Sequence, residues 1–404
     1  MRIGINGRFL AAKRTGVQRA AFNLIQSLFS VDRENEYIVF APQDFERKDN
    51  WNFENVRVIP CQIRKGESLR NHIWEQMFLP KLAKSHNIDI LHSPANTAPF
   101  FYRGKSIINI HDLCFVVNPQ WYSWSFRTSY NLLVPRLAKK ATRVITNSNN
   151  SRNDLLQFCD LPADRVSQVY WAVDDLFHQP DQSSTHGVDV TDYILYVGTL
   201  DPRKNIRTLL DAYVSMRAKN PDVKTKLVLI GGESPLFAEV RLNVTKYKED
   251  IIFKGFVDDV TLREFYRKAT LFVYPSLYEG FGLPPLEAMV SGAPVVTSLT
   301  SSIPEVVGDA AVLVSPYDAN QLGEAMATCI KDKDLREKLR ERGYEQVKKF
   351  NWNRVARNTL AIYYEVFNSE PSLREDHEKH FLPKEVWRKL RGIEEAKDTL
   401  SLGN

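Results

Sequence analysis

Ser276-Leu-Tyr-Glu279-Gly280-Phe281-Gly282-Leu283-Pro284-Pro285-Leu-Glu287-Ala-Met-Val-Ser-Gly292 follows an apolar run, Ala269-Thr-Leu-Phe-Val-Tyr274-Pro, that has the composition of a strand. Gly280 and Gly282 supply a turn, and Pro284-Pro285 suit the first turn of a helix. A strand, a glycine turn and a helix start together make an anion site. Glycines let the backbone approach a phosphate, and the helix N-terminus offers unpaired N–H donors and a partial positive charge. Two carboxylates bracket this site, Glu279 before the turn and Glu287 within the first helical turn. They can hydrogen-bond hydroxyls at either end of a ligand whose phosphates lie between them. A sugar nucleotide has that layout: ribose hydroxyls, a pyrophosphate, then sugar hydroxyls. The plainer reading leaves Glu287 complementing the helix dipole and Glu279 in a solvated loop.

A chain of 404 residues exceeds one ordinary core, so two domains are expected. Short β-branched runs alternate with longer helical patterns. The candidate strands of the first half are Arg2–Asn6, Tyr37–Ala41, Val56–Ile59, Asp89–His92, Ser106–Ile110 and Arg143–Asn147. Those of the second are Tyr193–Gly198, Lys226–Ile230, Ile251–Lys254, Leu271–Tyr274 and Pro294–Thr297. Such alternation predicts α/β architecture, with parallel sheets covered by helices on both faces. The polar, turn-rich stretch Phe177–Asp189 between the two sets reads as a linker. Two Rossmann-like halves so joined make a cleft, with ligands at the carboxyl ends of the strands.

The net charge of +5 is mild for this length, and no aromatic ladder or nucleic-acid-binding module accompanies it, so no nucleic-acid partner is expected. Cys61, Cys114, Cys159 and Cys329 are scattered singly, without metal-ligand or redox spacing. Met1-Arg-Ile-Gly-Ile-Asn leads straight into the first strand with no signal peptide before it, which sets the expectation of a cytoplasmic protein. Asp332-Lys-Asp334 imitates a metal-binding Asp-x-Asp, but it lies on a mixed-charge helical face far from any glycine turn and is rejected as a metal site. The N-terminal glycines do not fit Gly-x-Gly-x-x-Gly and no Walker A sequence occurs, which disfavours a dehydrogenase.

Glu279 to Glu287, with Gly-Phe-Gly-Leu-Pro between them, resembles the Glu-x7-Glu signature of the family 4 retaining glycosyltransferases, whose fold is GT-B: two Rossmann-like domains with parallel sheets facing a cleft. The resemblance runs from Met1 to Phe367 and is strongest from Tyr193 to Val314. It implies an acceptor-side domain over 1–177, a linker over 178–192, a nucleotide-sugar domain over 193–351, a helix over 352–367 crossing back to the first domain, and a charged tail over 368–404. Ser301 to Ala311 continues the family pattern and is read as support for the sheet.

Four further segments carry chemistry. Gly198-Thr199-Leu-Asp-Pro202-Arg203-Lys204-Asn205 places two cations at the start of a helix, at the edge of the same cleft, and looks like the family's diphosphate-holding segment. The alternative is two basic residues on an exposed first turn. Many relatives carry Arg where this chain has Thr199. Thr15-Gly16-Val-Gln-Arg19 resembles the family's first loop, in which Gly16 permits close approach to the donor, while Arg19 lies either in the cleft or on the helix surface. His111-Asp112 follows a strand end, and the resemblance places His111 beside the donor sugar or acceptor; a histidine capping local backbone is the alternative. His92 ends the preceding strand and is expected to line the same cleft on the acceptor side with Asp112.

Between Leu113 and Asn153 stand six basic residues, Arg127, Arg136, Lys139, Lys140, Arg143 and Arg152, and no acidic ones. Trp121, Tyr122, Trp124 and Phe126 precede them. This pattern fits either peripheral docking on the anionic cytoplasmic face of a membrane or a core-packed helix with a basic solvent face. The resulting expectation is a metal-independent retaining transferase, without cofactor, moving a hexose from a nucleoside-diphosphate sugar to a glycan or lipid-linked acceptor. Catalysis falls to Glu279, His111, Arg203 and Lys204. Donor binding falls to Gly16, Gly198, Gly280, Phe281, Gly282, Leu283 and Glu287. Thr15-Gly-Val-Gln-Arg and Trp74-Glu75-Gln76 resemble bacterial polysaccharide mannosyltransferases, which puts GDP-mannose ahead of a UDP-hexose. A sugar-nucleotide 2-epimerase and a non-catalytic nucleotide-sugar binder are the alternatives.

Overall fold

A computed structural model describes residues 1–12, 16–45, 51–178, 188–232 and 247–370, without the side chains at 125, 126, 128 and 129. Most of the expected linker, Thr15, Phe126's side chain and nearly all of the expected tail fall outside the described residues. Met1–Phe367 form one compact unit and Asn368–Asn404 a second; the fold below is that of the first.

Thirteen described strands make two wholly parallel sheets. The first contains β1 (Arg2–Asn6), β2 (Glu36–Pro42), β3 (Val56–Cys61), β4 (Ile90–Ser93), β5 (Lys105–Asn109), β6 (Arg143–Thr146) and β7 (Val166–Gln168), in the order β3-β2-β1-β4-β5-β6-β7. The second contains β8 (Tyr193–Val197), β9 (Lys226–Ile230), β10 (Ile251–Gly255), β11 (Leu271–Tyr274), β12 (Val295–Ser298) and β13 (Ala311–Val314), in the order β10-β9-β8-β11-β12-β13. Central strands such as Tyr193-Ile-Leu-Tyr-Val are buried at every residue, as a sheet covered on both faces requires. In each sheet the chain order reverses once, between β1 and β4 and between β8 and β11. Loops leaving adjacent strands there diverge to opposite faces and open a crevice.

Two strands were not legible. β7 is a three-residue Val-Ser-Gln edge with too little apolar pattern to signal itself. β13 closes the other edge, so the segment expected merely to support the sheet ends as part of it. Asp332 caps the helix Lys333–Val347 by accepting the Leu335 N–H at 2.8 Å, and Asp334 sits in that helix's first turn, which accounts for both acids without a metal.

The helix Trp352–Asn368 buries Trp352, Val355, Ala356, Thr359, Ile362, Tyr363 and Val366, a face repeating every three or four residues. Tyr364 and Phe367, though aromatic, are exposed. The helix lies against the first sheet's elements: Trp352 Nε1 donates to the Val173 carbonyl at 2.9 Å, and Arg143 pairs with Glu365 at 3.2 Å. His92 belongs to this contact and not to the cleft. Its Nε2 donates to Asn109 Oδ1 at 2.8 Å, so its Nδ1 accepts the Tyr363 hydroxyl at 2.6 Å. Both ring nitrogens are used, and burial pushes the imidazole down to about 4, so His92 is a neutral structural group.

The basic run is also less uniform than its sequence. Arg152 bonds the Val166 and Ala163 carbonyls, and Arg143 pairs with Glu365, so two of its members are engaged within the chain. Trp124 is 73% exposed. No described helix is long and apolar enough to cross a membrane.

Tyr363→Phe leaves His92 Nδ1 buried without its donor and should cost about 1–3 kcal/mol. Tyr363→Ala adds a cavity and should cost about 3–5 kcal/mol. Urea unfolding of both variants checks this; unchanged midpoints would mean that the helix contributes no anchoring through this residue.

Candidate active site

The site is built where β8 and β11 end. Beyond β8, Asp201 caps a short turn, Pro202–Lys204, by accepting the Lys204 N–H, and the helix Ile206–Lys219 starts only afterwards. Arg203 and Lys204 therefore precede the helix they were expected to open. Beyond β11 the chain enters Ser276 to Gly282 and then the helix Leu283–Val290.

The two segments meet at Glu279, whose side chain is 9% exposed. Its Oε1 accepts Lys204 Nζ at 2.5 Å, Ser276 Oγ at 2.5 Å and Tyr274 Oη at 2.9 Å, and its Oε2 accepts Arg203 Nη1 at 3.1 Å. Burial alone would push the carboxyl up. Lys204 and Arg203 outweigh it, with hydrogen bonds from Lys204 and Ser276, and bring it down to about 2. Burial, and then the Arg203 charge, push Lys204 below the ordinary lysine range. The centre thus holds one anion between two cations.

The turn after Glu279 is shaped by close approach. A Cβ on Gly280 would lie 2.5 Å from the His111 carbonyl oxygen, so only glycine lets this loop touch the first sheet's loop. Gly282 has φ of 116° and would drive a Cβ to 2.7 Å from Ile303 Cδ1. Phe281's ring points away from the turn into the core, 5.9 Å from Trp171 and 5.8 Å from Phe350, so only its backbone is available to a ligand. The N–H groups of Phe281, Gly282 and Leu283 take no hydrogen-bond partner among the described residues. Pro284 and Pro285 carry no N–H, which concentrates the helix's free donors on these three positions.

Glu287 lies in the second helical turn, not the first. Its Oε2 accepts the Tyr266 hydroxyl at 2.9 Å and its Oε1 stands 3.5 Å from Arg19 Nη1. Burial raises its pKa against the opposing Arg19 charge and the Tyr266 bond. The Arg19 guanidinium also pairs with Asp259 at 2.5 Å, so it is turned toward the second half and not out to solvent. Gly16 opens the helix Gly16–Val31, where a Cβ would sit 4.0 Å from Leu283 Cδ1, so the starts of two helices adjoin.

His111 is 3% exposed and its ring stacks obliquely on Trp171 at 4.6 Å. Its Nε2–H donates to the Pro94 carbonyl at 3.0 Å, and burial pushes it down to about 3, opposed by that bond. The neutral ring then presents a bare Nδ1, a buried acceptor with no partner among the described residues. Asp112 Oδ1 is occupied by the Cys114 N–H at 3.0 Å. Gly198 follows the last residue of β8, and the adjacent Thr199 hydroxyl donates to Asp201 at 2.5 Å.

Sequence reading missed the groups that hold these residues in place. Tyr274 Oη bridges Lys204 Nζ at 2.5 Å and Glu279 at 2.9 Å; its position as the last residue of β11 was the available signal. Glu305 was read as sheet support. It crosses to the first half, taking the N–H groups of Asn149 and Asn150 and the Tyr170 hydroxyl, each at 2.9 Å. Tyr278 bonds Asp154 across the same boundary at 2.5 Å.

Two doubly wound parallel sheets, with paired carboxylates, two cations and a glycine-bordered helix start at their crevice, define a glycosyltransferase of the GT-B class. Solved structures agree on the fold: sucrose-phosphate synthase from Thermosynechococcus elongatus superposes with a TM-score of 0.71 at 19% identity, over 92% of this chain and 100% of that one. The Anabaena protein HepE in complex with UDP-glucose gives 0.68 at 19% identity, over 90% and 100%. Residues 14–175 match the model of Glycosyltransferase Family 4, and residues 180–346 that of Glycosyl transferases group 1. The O-antigen chain mannosyltransferase B of Escherichia coli is 31% identical over 64% of this chain and 70% of its own length. The serotype-specific mannosyltransferase WbdA of Escherichia coli is 31% identical over 67% of this chain, but over only 34% of its own length. The chain belongs to the family 4 glycosyltransferases.

Glu279→Gln and Lys204→Ala should each lower sugar transfer at least tenfold while leaving a folded protein, because each removes one charge from the centre. Turnover measured beside thermal unfolding checks this, and wild-type turnover in either variant would remove that residue from the mechanism.

Proposed function

We propose that this enzyme transfers mannose from GDP-mannose, with retention of configuration, to a hydroxyl of a glycan or lipid-linked acceptor in polysaccharide biosynthesis. The observation that carries the reading is the Glu279 carboxylate held between Arg203 and Lys204 beside the unpartnered N–H groups of Phe281 to Leu283. Mannose is favoured because the relatives at 31% identity are named mannosyltransferases. A UDP-hexose is the second reading, supported by the HepE complex with UDP-glucose.

In the reaction the bond between the anomeric carbon and the phosphate oxygen breaks, and one to the acceptor oxygen forms. The acceptor proton passes to the departing diphosphate. Arg203, Lys204 and the three N–H groups receive the charge that develops on that diphosphate, each contributing on the order of 1–3 kcal/mol in a water-poor crevice. No metal is needed for this. Glu279 and the bare Nδ1 of His111 receive sugar hydroxyls, and Glu287 receives the ribose. Because Glu279 already engages both cations, the incoming diphosphate shares them with it.

Nucleoside-diphosphate release from a panel of sugar nucleotides, with EDTA and with or without a crude lipid-linked glycan extract, tests the reading. The expected outcome is acceptor-stimulated GDP release from GDP-mannose. Conversion of the donor to its 2-epimer, or nucleotide binding with no release from any donor, would overturn it. We also propose a cytoplasmic enzyme that meets the membrane peripherally through Trp121, Trp124 and Arg127. Replacing all three should abolish cosedimentation with anionic liposomes; binding that persists would remove the membrane contact.

A further inference from the structure

Each sheet carries a buried carboxylate paired with a cation near the point where its strand order reverses. In the second, Lys204 follows β8, Glu279 follows β11, and the buried carboxylate holds the cation at the point where strand order reverses. In the first sheet the reversal lies between β1 and β4. Arg8 follows β1 on the turn Gly7–Ala11, and Thr97 follows β4. Between them stands Glu75 from the helix Ser68–Met77, with 0% of its surface exposed.

Glu75 Oε1 accepts Asn6 Nδ2 at 2.6 Å, Thr97 Oγ1 at 3.0 Å and Arg8 Nε at 3.2 Å. Arg8 Nη1 lies 3.3 Å from His72 Nε2, and its Nη2 bonds Thr97 Oγ1. Burial pushes Glu75 up, but His72, Arg8 and Asn6 outweigh it and take it below the ordinary glutamate range, so the pair is ionic. Arg8 itself is not sealed in: its side chain keeps 18% exposure, and His72 keeps 31%. Three of the five N–H donors of a guanidinium are used here, leaving two.

The loop after β4 ties this cluster to the candidate active site. Pro94 and Asn96 accept from the His111 ring and backbone, and Thr97 accepts from Arg8. Since Glu75 already neutralises Arg8, the crevice suits a neutral, hydroxyl-rich ligand and not a second phosphate.

We propose that Arg8, oriented by Glu75 and Thr97, forms the subsite that recognises the terminal hexose of the acceptor, with Arg8 donating to its hydroxyls and Glu75 acting as a positioning residue. The proposal rests on the transferase reading above. The test is binding of octyl mannoside, glucoside, galactoside and N-acetylglucosaminide, read by saturation-transfer NMR, with GDP and UDP binding read by calorimetry on the same samples. At least one hexoside should bind the wild-type protein. Arg8→Ala should weaken it at least tenfold, and Arg8→Lys, which keeps the charge against Glu75 but loses the fork, at least fivefold, with nucleotide affinity changed less than twofold. Glu75→Gln should raise the hexoside dissociation constant in the same direction as Arg8→Lys. Equal hexoside binding in wild type and both Arg8 variants, no hexoside bound by wild type, or a matching loss of nucleotide affinity would overturn the proposal. Wild-type protein that binds hexoside but neither nucleotide would instead count against the donor reading alone.

Discussion

The Glu279 carboxylate takes donors from Lys204, Arg203, Ser276 and Tyr274 in a place with little access to water. A buried charge is tolerable only when its partners are complete, and removing one partner of such a pair typically costs about 3–5 kcal/mol. The loops beyond β8 and β11 are therefore coupled: neither can shift without stranding a charge. Ser276 Oγ and the Leu277 N–H both bond the Arg203 carbonyl, at 3.2 and 2.9 Å, so the backbone repeats the tie that the side chains make. The placement of the three unpartnered N–H groups follows from this, because the same loop that carries Glu279 sets where Gly282 and the helix start can lie.

The two halves are fitted to each other by equally local means. Gly280 gives up its side chain to meet the His111 carbonyl, and Ser151 Oγ bonds that carbonyl at 3.0 Å and the Gly280 carbonyl at 3.3 Å. Glu305 adds its carboxylate to the start of the helix Asn149–Cys159, whose own Ser148 already caps it. Arg19 reaches from the first half to Asp259 and Glu287 in the second. Apolar contacts join these polar ones, with Phe281 against Trp171 at 5.9 Å and Phe177 against Tyr266 at 5.8 Å, and the Trp352–Asn368 helix fastens to the first sheet through fully buried Tyr363 and His92.

Sequence legibility followed locality. The string from Glu279 to Glu287 could be read because strand, glycine turn and helix start are consecutive, and eleven strands could be read because a buried parallel strand is a short continuous apolar run. What stayed hidden depends on partners far along the chain. His92 looked like a cleft residue at a strand end until the helix 271 positions later supplied Tyr363. Glu305 belongs to an unremarkable helix until Asn149, 156 positions earlier, meets it. Glu287 was placed one turn early because Gly282, not a side-chain cap, marks the helix start. Tyr274 reads as a strand residue, and nothing local says that its hydroxyl bridges Lys204 to Glu279.

The meeting of Gly280 with the His111 carbonyl bears on how such enzymes can diversify. A second half taken from one relative and a first half from another would share their sheets, yet meet at a seam where a single β-carbon must be absent opposite one carbonyl. Glu305 must likewise find two unoccupied amide groups across that seam. Recombination at the linker would therefore succeed only between parents whose seams agree at these few positions, however similar their interiors.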